Sequence, residues 1–429
     1  MNYLRKEFEV FLHCAHSMQV LMVSNMIYAL VLPVIEIFVA AYVMRNSHAV
    51  DKVVTYQLSI YAATPLAFFL NGKLLGRVGA KHLYAAGMLL SGAAMMLMMQ
   101  LSILTPIGVA TSGFTMGLAT GIFWANRGYL ALTATNDSNR NYYYGVENFI
   151  ASLAAVAVPA LIGIFISGTA LYGWLGGVAN RAYHIIAIVV FSLTILSSVI
   201  LERGTFRNPK HTQFVFFRFH RLWWKMLQLA LLKGLAQGYI VTAPAMLIML
   251  LVGQEGTLGT TQAVGGVFSA CLMYLAGRMA APKHRIFVFS TGLLLFFLGA
   301  VTNTLLFNAV GVLIFIGCLL LAKPLLDLAY YPIQLQVVDV VSHIERRNEY
   351  AYIFNHEFGL FLGRGLGCCL FLGIAYWGSG VAALKYALPV IALLQLFSIR
   401  VAGQISRGLT AAGIDTSPVA GQTATIMEA

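Results

Sequence analysis

The chain reads as an all-α membrane protein of twelve transmembrane helices, arranged as two pseudo-symmetric six-helix bundles. Three observations carry that reading. Of 429 residues, 59% are hydrophobic and 10% are charged, with a mean hydropathy of +0.81. A soluble domain carries about 25% charged residues, so most of this exterior must face lipid. Long apolar stretches recur along the whole chain, and each needs about 20 residues to cross a ~30 Å hydrocarbon layer. The basic residues fall almost entirely on alternate loops.

The spans follow in order. Span 1 covers 18–43 and includes LPVIEIFVAAYV; span 2 covers 53–72 and ends at a glycine-rich basic loop. Spans 3 to 6 cover 82–103, 106–131, 144–167 and 182–201. Spans 7 to 12 cover 226–252, 260–277, 286–306, 310–338, 351–376 and 384–402. Leu, Ile, Val, Phe, Ala and Gly dominate them without the two-residue alternation of a membrane barrel. Helices are therefore the spanning element, since each satisfies its own backbone hydrogen bonds in lipid. The longer polar interruption near the middle divides the chain. An N-terminal bundle occupies 1–201, a basic and aromatic linker 202–225, a C-terminal bundle 226–405, and a disordered cytoplasmic tail 406–429. Connections elsewhere are short, leaving no room for a separate soluble domain.

Orientation follows from the loops. One side carries Arg5, Lys6, Lys73, Arg77, Lys81, Arg140, Arg203, Arg207, Lys210, Arg218, Arg221, Lys225, Arg278, Lys283, Arg285, Arg346, Arg347, Arg400 and Arg407, nineteen of 27 basic residues. The other carries Arg45, Lys52, Arg181 and Lys385. By the positive-inside rule both termini are expected in the cytoplasm, in a bacterial inner membrane. The same distribution accounts for the net charge of +12 without invoking nucleic acid: scattered juxtamembrane charge suits anionic lipid head groups. The segment FVFFRFHRLWW, 214–224, suits an interfacial stretch for the same reason.

Five cysteines, an odd number with no pairing pattern, suggest packing residues rather than a disulfide framework. The polar start Met1–Glu9, before a long apolar run, does not read as a cleavable signal. No GxxxxGK[ST] loop is present for nucleotide phosphates, so no ATP drive and no cofactor are expected.

The halves repeat weakly. FWANRGYLALTATNDSNRNYYYGVENF, 123–149, and YYPIQLQVVDVVSHIERRNEYAYIFNHEF, 330–358, share an aromatic turn, an Arg-Asn pair, a tyrosine cluster and a glutamate, Glu147 or Glu357. Internal repeats of this kind mark transporter architecture. The loop after span 2 reads Gly72-Lys73-Leu74-Leu75-Gly76-Arg77-Val78-Gly79-Ala80-Lys81. With the six-plus-six arrangement, it resembles the major facilitator superfamily of secondary transporters: Gly72, Arg77, Gly79 and Lys81 match that family's loop, whereas Gly76 stands where an acid is expected. Pro159 and Gly163 in span 5 are similar to the family's antiporter signature, but with altered spacing and one glycine missing, so no antiport is inferred from them. The resemblance implies that spans 1, 4, 7 and 10 line a central cavity.

Charged groups at bilayer depth are costly and usually face a cavity or one another. Eight lie in or at the ends of spans: Glu36, Glu147, Asp327, Glu357, Arg127, Lys233, Lys323 and Arg364. Glu36, Asp327 and Glu357 are candidates for proton coupling, Glu36 first, because a carboxyl withdrawn from water can exchange a proton near neutral pH. Lys323 and Asp327 are spaced i,i+4 around Pro324, either as a static ion pair or as one that opens when substrate or proton competes. Arg364 is a candidate grip for a substrate anion. Gln57, Trp124, Asn126, Lys233, Gln237 and Lys323 complete the binding candidates, alongside packing roles. Arg127 and Glu147 read as a gate or structural salt bridge. His356 beside Glu357 raises metal transport, but no converging ligand set appears and no metal is expected.

The expected function is secondary active transport of a small polar or charged organic solute, proton-coupled, by alternating access in a monomer. Alternatives are an exporter of an amphipathic drug, lipid or siderophore, and a transporter-like receptor or scaffold. A lipid-modifying enzyme would need a nucleophile–base pair at the interface, and none stands out.

Overall fold

A computed structural model describes residues 9, 11–101, 103–135, 140–206, 216–253, 255–279, 285–347 and 349–411. The tail beyond 411 and the loop bases Arg5, Lys6, Arg207, Lys210 and Lys283 lie outside the described residues. Among the described residues the regular structure is all helical. The first half comprises α1 (His16–Ala29), α2 (Leu32–Ser47), α3 (Val50–Val78), α4 (Ala80–Gln100), α5 (Pro106–Ala134), α6 (Arg140–Leu171) and α7 (Ala179–Glu202). The second comprises α8 (Arg221–Ile240), α9 (Ala243–Leu251), α10 (Glu255–Met279), α11 (Arg285–Leu306), α12 (Ala309–Glu345), α13 (Glu349–Trp377), α14 (Gly380–Gln395) and α15 (Phe397–Ala411).

Among the described residues fifteen α-helices make twelve spans because three spans are broken. The first is α1 plus α2, the seventh α8 plus α9, the twelfth α14 plus α15. Eleven stretches among the described residues have the length and hydropathy to cross a membrane. The one predicted span outside those eleven, span 8 at 260–277, falls within α10. The last helix continues to Ala411 and so covers the first residues assigned to the tail.

The breaks in spans 1 and 7 correspond. Leu30–Val31 and Val241–Thr242 interrupt runs whose hydropathy never falters, and Pro33 and Pro244 sit in the first turns of α2 and α9. A proline there surrenders an amide that has no helical acceptor anyway, so each proline fixes a restart. These two short segments pack on one another between the halves.

Packing inside the halves follows one scheme. In the first, α3 and α4 pack on α5, and α7 packs on α4 and α1. In the second, α10 and α11 pack on α12, and α14 packs on α11 and α8. Between the halves, α6 meets α10 and α3 meets α13, two contacts that a two-fold axis would exchange. The end bearing the 202–221 connection is called the connection end below, and the opposite one the far end.

Candidate functional site

The polar centre lies where α8, α12 and α13 face the first half. Lys233 on α8 donates from Nζ to Asp327 Oδ1 on α12 at 2.9 Å. The same ammonium lies over the rings of Tyr330 and Tyr331, 3.9 and 4.1 Å from their centroids. Cation–π contact and a carboxylate together hold a charge that an apolar bundle would otherwise reject. The pairing corrects the expectation for Asp327. Its ion-pair partner is Lys233, not Lys323: i,i+4 spacing places two groups on one helical face, but the ammonium of an adjacent helix is closer.

Arg364 on α13 is the second cation. Its Nε and Nη2 both donate to Gln237 Oε1, at 3.1 and 3.0 Å, and Nη1 stands 3.8 Å from Glu357 Oε2. Tyr61 on α3 reaches over from the first half. Its ring lies under the guanidinium, 5.2 Å away, and its hydroxyl donates to the Gln237 carbonyl at 2.9 Å. The backbone makes this possible. Gly363 and Gly234 let α13 and α8 approach until a Cβ on Gly363 would stand 2.0 Å from the Leu231 carbonyl oxygen. His356, buried beside Glu357, shares a 2.6 Å hydrogen bond with the Tyr330 hydroxyl.

Glu36 and Lys323 occupy the remaining space. Lys323 on α12 is the cation whose charge acts on the Glu36 carboxyl of α2, and Tyr61 senses both Glu36 and Arg364. Groups on α2, α3, α12 and α13 can share a field only between the halves. Both Glu36 and Lys323 are surface-exposed, while Lys233, Asp327, Glu357 and Arg364 are half-buried. The exposed pair therefore lies in the space between the bundles. Among the described residues neither has an ion-pair partner within 4.0 Å.

A second network lies in the first half toward the connection end. Arg127 Nη2 stands 2.8 Å from Glu147 Oε2. Asn25 Nδ2 donates to Glu147 Oε1 at 2.8 Å and to the Tyr143 hydroxyl at 2.9 Å, and Tyr84 donates to Asn25 Oδ1 at 2.8 Å. Asn25 and Tyr84 carry no sequence signal beyond a polar group in an apolar span, whereas Tyr143 belongs to the tyrosine cluster of the repeat. Both charged partners belong to one half, so the bridge does not itself cross the interface.

The other binding candidates are placed apart. Asn126 is buried and donates to Asn71 at 2.6 Å, tying α5 to α3. Gln57 is buried near Tyr61. Trp124 is exposed and lies under Arg127 at 5.1 Å. At the connection end Gly79 takes a φ of 82°, which suits a residue without Cβ and turns α3 into α4. Lys81 then bridges to Glu202 at 3.2 Å, fastening that turn to the end of α7. Gly72 is buried and Arg77 is exposed in the last turn of α3. Pro159 and Gly163 pack against Gly259 at the α6–α10 contact between halves, where a Cβ on Gly259 would lie 2.3 Å from the Pro159 carbonyl oxygen. No group of three or more potential metal ligands occurs among the described residues.

Comparison with known proteins gives the following. Residues 20–368 match the model of the Major Facilitator Superfamily. The chain is 24% identical over 358 residues to the uncharacterized protein YqgE of Bacillus subtilis (strain 168), covering 81% of this chain and 80% of that one. Its fold is similar to a bacterial homologue of the human lysosomal transporter Spinster, inward-facing and occupied, at a TM-score of 0.63 and 12% identity over 92% and 97% of the two chains. It is also similar to a bacterial homologue of the iron transporter ferroportin, inward-facing, at 0.64 and 15% over 91% and 98%. A POT-family transporter in complex with a thioalcohol-conjugated peptide gives 0.65 and 11% over 91% and 96%.

Proposed function

The chain belongs to the Major Facilitator Superfamily and is a multi-pass membrane transporter rather than an enzyme; from that premise we propose that it carries a small polar or charged organic solute by proton-coupled alternating access. One observation carries the proposal. Three acids and three bases, Glu36, Asp327, Glu357, Lys233, Lys323 and Arg364, gather from both halves into one space between them. Such a set is expensive in a bilayer, and its mutual neutralisation leaves a site with little net charge. Glu36 is the leading proton carrier, being exposed and outside any ion pair among the described residues, with Asp327 and Glu357 behind it in their ion pairs. The basic connection end is assigned to the cytoplasm of a bacterial inner membrane by its Lys and Arg excess, and the working unit is taken as the monomer.

The test uses purified protein in liposomes holding a lumenal pH dye, challenged with pooled solutes. Solute-dependent proton movement that vanishes in Glu36→Gln supports the reading. Movement that survives in that variant removes Glu36 and transfers the role to Asp327 or Glu357. Accumulation driven by sodium or by membrane potential alone, with no proton movement, keeps the transporter and discards proton coupling.

A second reading, export of an amphipathic molecule, has one feature in its favour. A groove of about 470 Å³ between α10 and α12 is lined by apolar side chains, including Val264, Phe268, Leu313 and Leu320. Uptake insensitive to Arg364 and Lys323 substitution but blocked by Val264→Trp would favour it.

A further inference from the structure

We infer that the solute is a zwitterion, seated with its cationic group on Glu36 and its anionic group on Lys323; the inference rests on the transporter reading above and narrows its substrate class. The six charges between the halves are not equally available. Lys233 is engaged by Asp327 and by two tyrosine rings. Arg364 spends Nε and Nη2 on Gln237, turns Nη1 toward Glu357, and lies over Tyr61. Asp327 and Glu357 are accordingly the partners of those two cations.

Glu36 and Lys323 are what remains. Both are exposed, and neither has an ion-pair partner within 4.0 Å among the described residues. They lie on different halves, α2 and α12, within each other's field. Among the described residues the groups within the field of Glu36 are Lys323 of α12, Tyr61 of α3 and Tyr28 of α1, and Lys323 is the one cation of these.

A cation on Glu36 alone leaves Lys323 desolvated against nothing as the bundles close, which is costly, and an anion on Lys323 alone leaves Glu36 to be neutralised by its proton rather than by the solute. An uncharged solute leaves both. A solute carrying an ammonium and a carboxylate matches the two at once and bridges the halves. Discrimination then comes from the unpaired group that each wrong solute would leave behind. An ammonium and a proton also compete for the one Glu36 carboxylate, so the solute displaces the carried proton.

The experiment measures binding by thermal shift in lipid nanodiscs with a panel of L-amino acids and dipeptides. Each is paired with its N-acetyl form, which lacks the cation, and its methyl ester, which lacks the anion. At least one zwitterion binds, and both of its derivatives bind at least tenfold more weakly. In Glu36→Gln the N-acetyl form loses nothing further relative to the parent, and in Lys323→Gln the same holds for the methyl ester. Derivatives that bind the wild type as well as their parents overturn the inference, and this arm needs no variant to fold. So does a panel without any bound zwitterion. Liposome uptake of a singly charged solute alongside that negative panel would leave the transporter reading standing and sink only the zwitterion.

Discussion

Glu147 is a buried carboxylate held by Arg127, Asn25 and Tyr143, and its surroundings decide what a substitution there does. Removing one partner of a buried ion pair strands the other charge, at about 3 kcal/mol. Arg127→Leu is therefore expected to lower the apparent melting temperature in detergent clearly. Replacing both residues, Arg127→Leu with Glu147→Leu, should recover part of that loss, because the stranded charge goes as well. Arg364 poses a different problem. Its guanidinium meets Gln237, Glu357 and Tyr61 in a fixed fork, and a lysine offers one compact charge instead. Arg364→Lys should preserve the melting temperature within about 1 kcal/mol of stability while solute uptake falls at least tenfold. The presence of these charges was legible from sequence, since acids and bases are conspicuous in apolar runs. Their partners were not. Asp327 chooses Lys233 over Lys323, and Tyr61, Tyr330 and His356 join the site, through helix placements that spacing along one chain does not contain.

At the scale of elements, hydropathy locates the spans well because the membrane imposes length and composition directly. It misses their interruptions. The turns at Leu30–Val31 and Val241–Thr242 are as apolar as the helices around them, so only Pro33 and Pro244 hint at a restart. Their matching positions matter, since paired breaks in the two halves tend to flank a transporter's binding site, and Glu36 follows the first break by little more than a turn. The α8–α13 seam offers a controlled test of how closely helices must approach. A methyl on Gly363 meets the Leu231 carbonyl at 2.0 Å, whereas one on Gly365 meets nothing within 4 Å. Gly363→Ala must push the helices apart, and overpacking of this kind costs about 1–3 kcal/mol. It should also displace Arg364 from Gln237, so uptake falls together with stability. Gly365→Ala, one residue pair along the same helix, should be neutral or slightly stabilising, because a helix favours Ala over Gly. Equal losses in the two variants would show that α13 is sensitive to any substitution rather than to its contact with α8.

The whole molecule is a pair of similar bundles that touch at both ends, and that fact sets the last expectation. At the far end α2 packs on α9, and a Cβ on Gly380 would lie 3.9 Å from the Val50 Cβ across the interface. At the connection end Phe68 and Ala125 of the first half cluster with Phe354 of the second. A site between two rocking bundles is reached from one side only when that side's contacts part. Locking either end should therefore stop the cycle, even though neither lock touches the charged centre. The Cβ spacing at the far end suits a disulfide directly, so Val50→Cys with Gly380→Cys, in a background without the five native cysteines, should lose uptake on oxidation and regain it with reductant. Phe68→Cys with Phe354→Cys, joined by a short bifunctional thiol reagent, should do the same. Binding separates the two locks. The far-end lock holds the chain open toward the connection end at most, and the other lock toward the far end at most. Solute added from one face of the membrane should then reach only one of the two locked forms. Uptake that persists with both ends locked would mean that the bundles do not need to separate, and rocking would have to give way to a path within one half.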